Sequence, residues 1–198
     1  MSRSRVLQNK NVIIDEAFRI LDAEGLEALS IRRLAKEVGV SSMTLYNYVR
    51  NIDDIHREVL IRSFNLLYGD IYTIMQELRS ENYSGLTAFA KAYALALYQF
   101  SVAHKNICTY LICAGRTTFH DDAELRPFYN PFDGFFLSEQ AKTESGMIQC
   151  VCRLYECAIL TLIYEHATGV KPITREKLMN YVDTYIQNMF LPSESDAY

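Results

Sequence analysis

The sequence predicts an all-α protein in which a small three-helix head, carrying a helix-turn-helix pattern, is joined to a larger helical body. Three observations lead there. Between Ser30 and Asn51 the chain reads SIRRLAKEVGVSSMTLYNYVRN, two short amphipathic segments pivoting on Gly39. Long stretches beyond it repeat apolar residues at helical spacing. With four prolines among 198 residues, 49% of them hydrophobic, the chain has few breakers and ample material for a core.

Each element follows from local chemistry. In NVIIDEAFRILDAEGLEALSIRRLA the residues Ile14, Ala17, Phe18 and Leu21 form the inner stripe of a first helix that Gly25 ends. Ser30 caps a second helix with Ile31, Leu34, Ala35 and Val38 at i, i+3, i+4 and i+7. Gly39 stops it in the left-handed conformation, and Val40 folds back onto the stripe. Ser41 or Ser42 caps a third helix in which only Leu45 and Val49 are aliphatic. Its other faces hold Ser42, Met43, Thr44, Tyr46, Asn47 and Tyr48, with no carboxylate between Gly39 and Asn51. Small or hydrogen-bonding side chains near a helix N-terminus, where the amide dipoles favour phosphate, suit entry into a major groove.

Asn51 caps a fourth helix, with Asp53 and Asp54 in its first turn, that runs to about Leu78 before the polar break at 80–84. A helix from Gly85 to His104 is apolar nearly all round, which places it in the centre of the body. A short helix around Asn106–Ala114 follows. The segment 115–134, with HDD, Pro127 and Pro131, reads as a loop or lid with a helix starting after Pro131. Two amphipathic helices close the chain, one over about Glu144–Thr168 and one capped by Thr174 after the break at Gly169–Pro172. Domain bounds are accordingly 1–52 for the head and 53–192 for the body, with a frayed tail at 193–198.

Composition narrows the function. No apolar run reaches the roughly 18 residues of a membrane span, and the polar N-terminus is not a signal peptide. Five cysteines on unrelated spacings fit a reducing compartment, so the expected location is cytoplasmic, with no membrane partner. Residues 1–50 hold eight Lys+Arg against six Asp+Glu and the rest twelve against eighteen, so +2 and −6 make up the chain's −4. A basic head on an acidic body turns the head towards DNA. No nucleophile elbow, phosphate loop or paired metal-ligand motif indicates an enzyme, and no cofactor is implied. Cys150, Cys152 and Cys157 share a helix; a thiol switch is weighed against core packing, and packing is expected. His120, Asp121 and Asp122 with His104 do not have the spacing of a metal site.

The segment from Asn11 through LYNYVRNIDDIHREVL resembles the DNA-binding head of the tetracycline-repressor (TetR) family of transcriptional regulators. The resemblance covers about one quarter of the chain. It implies that Arg32, Ser42 and Met43 face base edges, that Thr44, Tyr46 and Tyr48 hold phosphates, and that Asn47 belongs to the same surface. Many members carry a lysine where this chain has Ile52, and Arg50 stands in for it. Arg3, Arg5 and Lys10 form a basic arm. The resemblance also implies a homodimer through the last two helices, with readers about 34–36 Å apart on a palindromic double-stranded DNA operator. It implies too that a small effector releases the repressor by entering a body cavity. The lining expected for a lipophilic or aromatic effector is Phe64, Tyr68, Phe89, Tyr93, Phe100, Tyr110, Phe136 and Tyr155, with Gln99, His104 and Arg116 available to orient a polar group. The alternatives are a regulator working through a cysteine thiol switch, a helical enzyme without a recognisable motif, and a head that docks protein.

Overall fold

The computed structural model describes residues 10–81, 83, 85–115, 118–119, 121–138 and 146–190, with the side chains of 114–115, 126–127, 136–138, 146–147 and 189–190 set aside. Helix α1 (Lys10–Glu24) buries Ile13, Ile14, Ala17, Ile20 and Leu21. After Gly25 and a single 3-10 turn comes α2 (Ile31–Val38), where the Ser30 hydroxyl accepts the Arg33 N–H at 3.2 Å. Its other end closes as the sequence requires. Gly39 takes φ +79°, and the Val40 N–H returns to the Ala35 carbonyl at 2.9 Å, the six-residue bond of a Schellman ending.

Helix α3 (Ser42–Leu45) is capped by Ser41, whose hydroxyl accepts the Thr44 N–H at 3.1 Å. It is shorter than the Leu45–Val49 spacing predicts. The Asn47 and Tyr48 N–H groups bond three residues back, to Thr44 and Leu45, which tightens the chain into a turn while keeping Val49 buried at 3% exposure. Two residues later Asn51 caps α4 (Ile52–Ser80), accepting the Asp54 N–H at 2.8 Å. The chain must therefore reverse within a few residues, and a second turn of α3 would leave no room for it.

In the body, α5 (Gly85–Ala103) is the buried axis: nearly every side chain from Thr87 to Leu97 is enclosed. It is surrounded by α4, by α6 (Lys105–Tyr110, widening into the turn Leu111–Gly115), by α8 (Gly146–Thr168) and by α9 (Arg175–Tyr185). A 3-10 turn at Arg126–Tyr129 and α7 (Pro131–Ser138) close the side between α4 and α8. Among the described residues no helix is long and apolar enough to cross a membrane.

Polar bonds fix the joints. Buried Lys91 of α5 pairs with Asp183 of α9 at 2.6 Å and lies 4.3 Å from the centre of the Tyr83 ring. The Tyr155 hydroxyl donates to the Ala90 carbonyl at 2.7 Å, tying α8 to α5. The head is docked by α1, where Asp22 meets His104 Nδ1 at 2.8 Å and its carbonyl accepts from Asn106 at 2.8 Å.

A Cβ at Gly39 would meet nothing within 4 Å, so the demand there is conformational alone. Gly39→Ala is expected to lower the unfolding free energy by about 1–2 kcal/mol in urea titrations. Gly69→Ala, equally open but inside α4, is expected to raise it by up to ~1 kcal/mol.

Candidate nucleic-acid interface and adjoining cavity

The turn that shortens α3 creates an exposed ridge. Met43 is 78% exposed and Tyr46 51%, with Asn47 and Tyr48 beside them, while Leu45 and Val49 point into the head core. Ser42 and Thr44 are half-buried, and the Thr44 hydroxyl shares a hydrogen bond with Ser41 at 2.8 Å. The cations around this ridge are sorted by their neighbours. Arg33 is held by Glu24 at 3.0 Å and by Glu37 at 3.1 Å, and Arg19 by Glu16. The exposed side chains of Arg32, Lys36 and Arg50 make no ion pair among the described residues. Positive charge and hydroxyls are thus presented together on one surface, the chemistry that contacts phosphates and base edges.

Between the end of the ridge and the start of α4 lies a polar hollow of about 330 Å³ bordered by Tyr46, Asn47, Tyr48, Arg50 and Asp54. Lys10 also borders it, but its ammonium is paired with Glu58 instead of reaching outward, which corrects its place in the expected basic arm. Arg3 and Arg5 lie outside the described residues.

Two turns further along α4 the chemistry changes from surface to body. Arg57 binds Asp122 through Nε at 2.6 Å and also pairs with Glu124. Asp122 additionally accepts the N–H groups of Glu124 at 2.9 Å and Leu125 at 3.2 Å. The Arg57 guanidinium, with these backbone donors, holds the Asp122 carboxyl below the usual range, and Asp122 with Glu124 raises Arg57 in return. This clamp ties α4 to the segment that carries Phe128 and Tyr129. His120 lies outside the described residues.

That segment borders a small cavity of about 40 Å³, lined also by Phe64 and Tyr68 of α4, Tyr93 of α5, Cys108 of α6 and, on α8, Glu156. Outside it runs an apolar groove of about 280 Å³ along Tyr72, Met75, Phe89 and Phe135. Tyr68 and Phe128 border both and form the partition: their rings meet edge-on at 5.3 Å, the Tyr68 hydroxyl donates to the Phe128 carbonyl at 3.3 Å, and Phe128 stacks on Phe64 at 4.9 Å.

Of the expected lining, Phe64, Tyr68 and Tyr93 border the cavity, and Phe89 the outer groove. Phe100, Tyr110 and Tyr155 are buried away from the cavity wall, and the Phe136 side chain is outside the described residues. Gln99 is exposed, His104 is occupied by Asp22, and Arg116 lies outside the described residues. Phe128, Tyr129 and Glu156 were not legible as lining residues. For Glu156 a signal exists: one acid interrupts the apolar run Cys152, Tyr155, Ile159 and Ile163. For the other two there is none, because their segment has no period.

The cysteines divide. Burial pushes Cys108 up to about 12 and Cys152 to about 11, whereas Cys150 and Cys157 are exposed, correcting the expectation that all three α8 thiols pack inward. Seven apart, they share the outer face of α8, and Cys157 borders an apolar hollow of about 710 Å³ with Ala158, Leu162, Tyr181 and Tyr185. Leu154 on the same helix is 55% exposed and Tyr181 of α9 is 46% exposed.

Comparison with known proteins agrees with this geometry. Residues 13–59 match the family model of bacterial regulatory proteins of the tetR family. The chain is 27% identical over 89 residues to the uncharacterized HTH-type transcriptional regulator YobS of Bacillus subtilis, covering 45% of this chain and 46% of that one. It is 54% identical over 37 residues to the HTH-type transcriptional repressor DrrR1 of Streptomyces coeruleorubidus, covering 19% and 14%. The chain thus spans about half or less of the length of these curated relatives. Among solved structures, the ketosteroid transcriptional regulator KstR2 of Mycobacterium tuberculosis superposes with a TM-score of 0.52 at 12% identity, covering 96% of this chain and 94% of that one. PfmR from Thermus thermophilus, titled a TetR family transcriptional regulator, gives 0.54 at 12% identity, covering 90% and 97%. At such identities the likeness is one of fold.

Beside the clamp, His56 has a buried Nε2 with no hydrogen-bond partner and lies edge-on to Tyr110 at 6.1 Å. Burial lowers its pKa, partly opposed by Asp53. Its neutral form is therefore native: the protein loses nothing above pH ~6.5, and loses stability as pH falls below that, where the unfolded chain takes a proton the folded one resists. Urea midpoints between pH 7.5 and 5.5 should fall less steeply in His56→Leu than in the parent.

Proposed function

We propose that this chain, which belongs to the TetR family of transcriptional regulators, is a homodimeric repressor that leaves a palindromic DNA operator when a small molecule enters its body. The carrying observation is the acid-free ridge of α3, with Met43, Tyr46, Asn47 and Tyr48 exposed between the cations Arg32, Lys36 and Arg50. On this reading Arg32 reads guanine through its planar fork, Ser42 and Met43 meet bases, and Thr44, Tyr46, Asn47, Tyr48 and Arg50 grip the backbone. On the same reading the protein acts on chromosomal DNA in the cytoplasm. The designation of DrrR1 as a repressor favours repression here.

Dimerisation is supported by the apolar outer face of α8 and α9, where Leu154, Ala158, Leu162 and Tyr181 face solvent or a shallow hollow. Two copies joined there form an intermolecular four-helix bundle and present two ridges to successive grooves. Release is supported by the path from cavity to head. Phe64 and Tyr68 lie on the helix that begins beneath the ridge, and Arg57 of that helix grips the segment of Phe128 and Tyr129. A guest that moves this segment moves α4, and a change of about 1–3 kcal/mol between the two arrangements is enough to shift operator occupancy five- to 150-fold.

Gel retardation with duplexes flanking the protein's own coding region tests the first half. Arg32→Ala is expected to weaken the specific complex by about five- to 150-fold, as loss of one bidentate base contact of about 1–3 kcal/mol implies. Arg33→Ala, already tied to two glutamates, should weaken it less. A protein that retards none of these duplexes at low salt is not the proposed regulator. For the second half, sedimentation of Leu154→Glu/Tyr181→Glu should show monomers that bind the operator poorly; an unchanged dimer would refute the α8–α9 interface.

A further inference from the structure

Two thiols are exposed where the packing of the chain has no use for them. Cys150 and Cys157 lie on the solvent side of α8, away from the buried row Cys152, Tyr155, Ile159 and Ile163. With Leu154 and Thr161 they follow one another at steps of four, three and four residues, the spacing of a seam between paired helices. All four are exposed. Tyr181 and Thr184 of α9, with Asn188 in the turn that extends it, form a second exposed row, and both rows border the hollow of about 710 Å³.

Symmetry separates the two thiols. An interface between identical copies is isologous, so only residues close to its two-fold axis meet their own counterparts. Cys157 is the twelfth of the 23 residues of α8, its middle, and borders the hollow, whereas Cys150 is about 10 Å nearer the N-terminal end. With the axis crossing the middle of α8 at a right angle, two Cys150 residues stay about 20 Å apart and two Cys157 residues face each other. Ala158 and Thr161 beside Cys157 are small, which lets two backbones approach. Helices packed about 8–10 Å apart, each with Cα atoms about 2.3 Å from its own axis, bring facing Cα atoms to about 3.4–5.4 Å. That range overlaps the roughly 4.4–6.8 Å a disulfide spans.

We infer that Cys157 is an oxidation site at which two copies of the chain are joined by a symmetric disulfide, with a hydroperoxide as the oxidant. This rests on the reading that two copies meet through α8 and α9, and it names the residue at their axis. One Cys157 thiolate attacks the O–O bond of hydrogen peroxide, giving a sulfenic acid and one water. The Cys157 thiol of the other copy then attacks that sulfur: the S–S bond forms as the S–O bond breaks, and the hydroxyl leaves with the thiol proton as a second water. Two thiols are oxidised and one peroxide is reduced. The joined pair no longer parts on dilution, and a thiol reductant restores the free cysteines. Cys108 and Cys152 are buried and take no part.

The reduced full chain, treated with about one equivalent of hydrogen peroxide, is separated without reductant, and the joined peptides are mapped by mass spectrometry. Sedimentation of the untreated protein is run beside it. The expected product is a dimer linked Cys157 to Cys157, reversed by dithiothreitol and formed to the same extent at every concentration where the protein sediments as a dimer. Cys150→Ser should match the parent within about twofold, and Cys157→Ser should give about tenfold less or none. In a protein that sediments as a dimer, three results overturn the Cys157 assignment and leave the dimer reading intact: a link through Cys150 or Cys113 instead, a yield that falls with dilution as random collision requires, or no link at all. A protein that sediments as a monomer overturns both.

Discussion

A single uninterrupted helix holds this molecule together. Ile52–Ser80 is 29 residues long, about 43 Å at the usual rise, and both parts of the core are built on it. Its first turns bury Ile55 and Val59 near the head, and its later turns bury Phe64, Leu67, Ile71 and Met75 in the body. Backbone bonds run unbroken along it, with no proline and with Asn51 fixing its start. Head and body therefore share one continuous rod, which begins beneath the α3 ridge and lines the body cavity with Phe64 and Tyr68 further along.

Around that rod the polar contacts are placed where helices meet, and seldom along their faces. Asp22 with His104 and Asn106 holds α1 to the α5–α6 corner, Lys91 with Asp183 holds α9 to α5, and Arg57 with Asp122 and Glu124 holds α4 to the segment that carries Phe128 and Tyr129. Apolar burial supplies cohesion without direction. These bonds add register, because each partner must be in place for the other to be satisfied. The clamp at Arg57 stands apart from the rest, since its acidic partners sit on an irregular segment and not on a helix that packing already positions.

How much of this the residues announced depends on the distance between partners. Ser30, Gly39, Asn51 and Thr174 act on groups within four residues of themselves, so caps and helix ends were readable one by one. The buried axis at Gly85–Ala103 was readable as well, because a helix apolar on all sides has nowhere else to go. The turn that shortens α3 was not: Leu45 and Val49 are four apart in a helix and also end on the same side of a tightened turn. Lys91 and Asp183, 92 residues apart, and Arg57 and Asp122, 65 apart, give no local sign of each other. For the cavity, twenty-four tyrosines and phenylalanines offer too many candidates for periodicity to separate wall from core. The exposure of Cys150 and Cys157 follows from helix phase relative to α5, which only the assembled bundle sets.

The Tyr68–Phe128 partition has a kinetic side. Because the interior is nearly filled, the resting fold carries little void and keeps its ring contacts. On the proposed reading, a guest that passes between the outer groove and the cavity parts those rings on arrival and again on departure, so the same aromatic pair bears on the speed of both. Residence time then becomes a property of the gate as much as of the guest, and two molecules of unequal affinity can share one slow exit.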